Sequence, residues 1–81
     1  MRIVVVTDAE LMRIVLRALE KPMTLSELRA ELRAMGILVS YTRLRRIVAE
    51  LVQSNRVVRV KCGKAVLYAV RERESEEREI Y

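Results

Sequence analysis

The chain has 81 residues, of which 16 are Lys or Arg, 11 are Asp or Glu and none is His, giving a formal net charge of +5. That length holds one domain around one small core, and a lone cysteine, Cys62, excludes a disulfide within the chain. Without histidine there is no base for Ser–His–Asp or Cys–His catalysis, and one cysteine falls short of the roughly four Cys or His ligands of a structural zinc site.

No apolar run approaches the ~18–20 residues of a membrane span. The apolar residues 3–6 are too few for a signal peptide, so a cytoplasmic, reducing setting is expected. No Gly-rich phosphate loop and no well-placed acid pair is visible, so the chain is not expected to be an enzyme or to carry a cofactor or metal. One Asn, one Gln and one Cys beside 33% charged residues is a thermophile-like bias.

In chain order, residues 2–7 read as a short β-branched strand. Thr7 or Asp8 can cap a first helix that should run to about Lys21, because Pro22 disfavours helix at the residue before it. Thr24 and Glu27 fit a capping box. Leu25, Leu28, Leu32 and Met35 follow as one apolar stripe, and Gly36 is placed to end this second helix. A short apolar turn, residues 37–39, leads to Ser40, the cap of a third helix running to about Ser54, with Asn55 as a left-handed stop. Residues 57–61 and 65–70 read as two strands about the Cys62–Gly63 turn. Residues 71–81 alternate Arg and Glu and form a charged tail, either a frayed helix or disorder. One domain, residues 1–70, precedes that tail.

The charge is concentrated in residues 40–64. This stretch carries seven basic residues, namely Arg43, Arg45, Arg46, Arg56, Arg59, Lys61 and Lys64, against Glu50 alone. A basic helix followed by a basic hairpin points to a polyanion, nucleic acid above all. At 100° per residue, Leu44, Ile47, Val48, Leu51 and Val52 fall on one side of the third helix. Thr42, Arg45, Arg46, Ala49, Glu50 and Gln53 fall on the other, with Arg43 toward the edge. Arg46 and Glu50 are also spaced for a surface ion pair.

Helix, link, helix, tight turn, helix, hairpin is the order of a winged helix-turn-helix domain. The detailed likeness covers residues 23–70. The run from Thr24 to Leu28 resembles the start of that family's second helix, the run from Val39 to Leu51 its recognition helix, and the run from Ser54 to Val60 the exit into the wing. Asn55 stands where many archaeal and bacterial regulators carry Gly. The resemblance implies a mainly α fold with a small β-hairpin (α+β), three helices plus a wing, and DNA binding in transcription control. An extra N-terminal strand is possible beside it.

On this reading Tyr41, Thr42, Arg45 and Arg46 face the major groove, where Arg can pair bidentately with guanine, and the cap residue Ser40 is counted with them among the DNA-binding residues. Arg43, Arg59, Lys61 and Lys64 should meet phosphates. Arg59 and Lys61 alternate with Val58 and Val60, which suggests one basic face and one buried face. Tyr68 reads as core, and Cys62 as an ordinary exposed thiol.

The first helix is apolar over roughly 200° of its circumference, more than a surface helix needs. A homodimer is therefore expected, with Met12 and Leu16 facing the partner and Ile3 and Val5 in a strand beside it. The charged tail folding back over that face is the alternative. Double-stranded DNA is the expected partner. A protein-interaction module in a larger assembly, and non-specific DNA or RNA binding, remain competing readings.

Overall fold

The computed structural model describes residues 6–71. Ile3, Val5, most of the expected N-terminal strand and the tail beyond Arg71 lie outside the described residues. Three helices, α1 (Asp8–Ala18), α2 (Leu25–Ala34) and α3 (Tyr41–Gln53), precede an antiparallel hairpin of β1 (Val57–Cys62) and β2 (Ala65–Val70).

Helix α1 begins in a capping box. Thr7 Oγ1 accepts from the Glu10 N–H at 3.2 Å, and Glu10 Oε1 accepts from the Thr7 N–H at 3.1 Å. Thr7 is thus a cap and not a strand residue. The helix stops three residues short of the expected Lys21. Its exit tightens into bonds from Glu20 N–H to the Arg17 carbonyl and from Lys21 N–H to the Ala18 carbonyl, 3.3 and 3.4 Å, before Pro22 forbids another helical turn.

Helix α2 starts in the expected box of Thr24 and Glu27, with bonds of 2.9 and 3.2 Å. It ends at Gly36, whose φ is +85°. There the Ile37 N–H reaches the Leu32 carbonyl and the Gly36 N–H the Arg33 carbonyl, both at 2.9 Å, which is a Schellman closure. Helix α3 closes the same way. Asn55 takes φ +64°, and the Arg56 and Asn55 N–H groups cap the Leu51 and Val52 carbonyls at 2.9 and 3.0 Å.

The core sits where the three helices meet the base of the hairpin. Leu11, Val15, Leu19, Leu28, Leu32, Leu44, Ile47, Val48, Leu51 and Val57 are buried, and Ile37 and Val39 close it from the α2–α3 turn. Removing apolar surface of this kind from water contributes about 1.5–3 kcal/mol per large side chain. The breadth of α1 is mostly absorbed here: Met12, Ile14, Leu16 and Ala18 are half-buried and pack against the core.

The hairpin docks through a third backbone segment. Met23 bridges Tyr68, and the Val70 N–H donates to the Leu19 carbonyl at 2.9 Å. This reverses the expected faces of the wing. Val57 pairs with Val70, Arg59 with Tyr68 and Lys61 with Val66, so these six side chains share one face by alternation. Val57, Tyr68 and Val70 on that face meet the core. Val58, Val60, Leu67 and Ala69 lie on the opposite, outward face, where Val60 is 49% exposed. Arg59 and Lys61 therefore extend the core-facing side of the wing beyond the point where the core ends.

Candidate nucleic-acid interface

Helix α3 presents the face its sequence periodicity describes. Leu44, Ile47, Val48 and Leu51 are buried, while Thr42, Arg45, Arg46, Ala49, Glu50 and Gln53 are exposed. The N-terminus of α3 is held by Ser40, whose Oγ accepts from the Arg43 N–H at 3.2 Å. Tyr41 is held from α2. Its hydroxyl lies 2.7 Å from Ser26 Oγ, and the Arg29 guanidinium sits over its ring, 4.6 Å from the centroid. Arg29 Nε also donates to the Val39 carbonyl at 3.1 Å. Such a brace fixes where the first turn of α3 projects.

The three guanidinium groups of α3 stand in different situations. Arg43 donates from Nε and Nη2 to Asp8 Oδ1 at 3.0 and 2.7 Å, and from Nη2 to the Val6 carbonyl at 3.0 Å. Arg46 donates to Asp8 Oδ2 at 3.3 Å and lies 4.0 Å from Glu50. Arg45 is exposed and has no acidic partner among the described residues. Hydrogen bonds from Arg43 hold the Asp8 carboxyl below the usual carboxylate range; desolvation opposes them and Arg46 reinforces them.

Arg43, expected on a phosphate, is thus engaged with α1, and Arg46, expected in the groove, is shared between two acids. Asp8 escaped the reading of the sequence as a site residue, since nothing local links it to positions 35 and 38 residues away.

An open cleft lined by Thr24, Ser26, Tyr41, Arg45, Ala65 and Val66 brings together the start of α2, the start of α3 and the tip of the hairpin. Arg59, Lys61 and Lys64 are exposed along the wing. Met12 and Leu16 stay half-buried on α1. Cys62 is an exposed free thiol. Among the described residues no three His, Cys, Asp or Glu side chains group to hold a metal ion, and no helix is long and apolar enough to cross a membrane.

Two solved structures share this arrangement. One is of HOP2, described for its DNA recognition and protein interaction domains and homologous DNA pairing, with 17% identity over 74% of this chain and 97% of that one and a TM-score of 0.64. The other is the ferric uptake regulator of Francisella tularensis with iron, 16% identical over 86% of this chain and 55% of that one, TM-score 0.67. The present chain spans about half of that regulator's length. The fold is a winged helix. No protein-family model and no curated protein sequence matches the chain.

Proposed function

We propose that this chain binds double-stranded DNA and acts as a homodimeric transcriptional regulator, with α3 in the major groove and the wing on the phosphate backbone. The observation that carries the reading is Arg45: exposed, without an acidic partner among the described residues, and set in the cleft between the start of α2 and the wing tip. Thr42 and Ala49 share its exposed face, so a base edge can approach closely. Ser40 and Tyr41 set the pitch of the helix entry. Arg59, Lys61 and Lys64 supply backbone contacts that carry affinity but no sequence. Arg46 joins the groove face where it can leave its two acids, and Arg43 serves mainly as the tie to α1. DNA recognition in the HOP2 structure fits this assignment.

The dimer is assigned to α1, through Met12 and Leu16, with Ile3 and Val5 ahead of it. The half-exposed apolar edge of α1 supports it. A two-fold pair would present two α3 helices to a pseudo-palindrome. The test is selection from a random duplex library at two salt concentrations, followed by sequencing of the bound fraction. A palindromic motif surviving the higher salt is the expected result; binding without a motif that collapses with salt would leave only a coating role.

A second reading, a protein-interaction module, is favoured by one observation. The outward face of the hairpin carries Val58, Val60, Leu67 and Ala69 without a charge among them. A partner that survives nuclease treatment in a pull-down would support it.

A further inference from the structure

Helix α3 carries three arginines on or beside its candidate DNA face, yet two of them converge on one carboxylate. Both oxygens of Asp8 are used: Oδ1 takes Arg43 at 2.7 Å and Oδ2 takes Arg46 at 3.3 Å. Asp8 is the first residue of α1, where the positive end of the helix dipole favours a negative charge. A second hold on Arg43 comes from the Val6 carbonyl. Among the described residues this cluster is only partly buried. The side chains of Arg43, Asp8 and Arg46 are 32%, 46% and 51% exposed, so a phosphate oxygen arriving from solvent competes for the same N–H groups.

We infer that Asp8 withholds Arg43 and Arg46 from DNA phosphates and so sets the sequence-independent affinity of this face for DNA. This rests on the DNA-binding reading above. The physical reason is an asymmetry between contacts. A phosphate that takes either arginine leaves the Asp8 carboxylate beside a second anion, and the repulsion offsets the new pair. Arg45 has no such competitor among the described residues, so contacts it makes to bases are untouched. The net effect lowers sequence-independent affinity, which comes almost wholly from phosphates. A mere tie between α1 and α3 would leave the salt dependence of DNA binding unchanged when Asp8 loses its charge, whereas this role requires it to change.

The test compares the unmodified chain with Asp8→Asn, titrating each into a fluorescent random-sequence duplex across a range of KCl concentrations. Asp8→Asn should bind roughly three- to tenfold tighter at low salt, with a log–log salt slope steeper by about 1–2. Binding by Asp8→Asn alone supports the inference equally. Equal or weaker binding by Asp8→Asn, while the unmodified chain binds, overturns the role of Asp8 and leaves the DNA reading standing. Absence of binding by both proteins overturns the DNA reading and this inference with it. Circular dichroism reports whether Asp8→Asn folds. If it does not, Asp8→Ser, which removes the same charge with a smaller polar side chain, is titrated in its place, and a slope equal to or shallower than that of the unmodified chain sinks the idea.

Discussion

Met23 and Tyr68 exchange backbone hydrogen bonds in both directions, Met23 N–H to the Tyr68 carbonyl at 3.1 Å and Tyr68 N–H to the Met23 carbonyl at 2.8 Å. This pair turns a two-stranded ribbon, marginal by itself in water, into part of the body of the domain. It also makes β2 the inner strand and β1 the edge among the described residues. The amides of Tyr68 and Val70, directed at Met23 and Leu19, should exchange with deuterium far more slowly than those of Arg59 and Lys61, which alternation directs to the open edge. Met23→Pro removes one of the two bonds and should cost about 1–3 kcal/mol, read as a lower urea midpoint with an unchanged slope.

The exit of α3 depends on one residue in a left-handed conformation. Asn55 has φ +64°, a region that side chains with a branched Cβ reach at a cost of roughly 1–2 kcal/mol. Asn55→Val should therefore lower the melting temperature by several degrees, about 4–8 °C per kcal/mol for a domain of this size. Asn55→Gly should leave it unchanged or raise it slightly. Equal losses from both substitutions would mean that the Asn55 side chain, and not its backbone, holds the turn.

These two sites also mark how far the sequence could be read. The helix ends at Gly36 and Asn55, the box of Thr24 and Glu27 and the buried stripe of α3 all act over a few residues, so their signals are local and legible. The docking of the hairpin is not. Alternation separates Val57, Tyr68 and Val70 from Val58, Val60 and Leu67, but both sets are apolar. Only the pairing with Met23, far away in sequence, decides which set meets the core. The pairing of Asp8 with Arg43 is equally non-local. Its one trace in the sequence is that Arg43 falls toward the edge of the α3 wheel and not at its outward centre.

Asp8 should make the domain acid-sensitive in a defined window. Its folded carboxyl is held below the usual range by Arg43 and Arg46, so the unfolded chain takes up the proton first as pH falls. The stabilisation is complete above the ordinary carboxylate value, about pH 4, and is lost as pH drops through the folded value. Among the described residues, the other acid near the cluster is Glu50, 4.0 Å from Arg46; the Glu10 carboxylate is committed to the α1 cap. The difference in melting temperature between the unmodified chain and Asp8→Asn should be level above about pH 5 and shrink toward pH 3. A difference that persists unchanged to pH 3 would place the stabilisation somewhere other than the charge on Asp8.

Arg45 and Lys64 should separate reading from holding. Arg45 sits in the cleft between α2, α3 and the wing tip, and a guanidinium there can pair with both acceptors of a guanine edge. Arg45→Ala should cost about 1–3 kcal/mol on a selected target sequence and far less on random duplex, so that discrimination relaxes at one base position. Cys62, expected in the turn, is the last residue of β1, and Lys64 sits with Gly63 in the turn itself, exposed at the end of the wing, where its ammonium should meet a phosphate but no base. Lys64→Ala should weaken target and random duplex alike and reduce the salt slope by about 1. One competition titration, run with both duplexes at two salt concentrations, reads both substitutions. Equal losses on the two duplexes from Arg45→Ala would remove Arg45 from the groove and put it on the backbone. A loss confined to the target from Lys64→Ala would place the wing tip against base edges, which so short a turn should not reach.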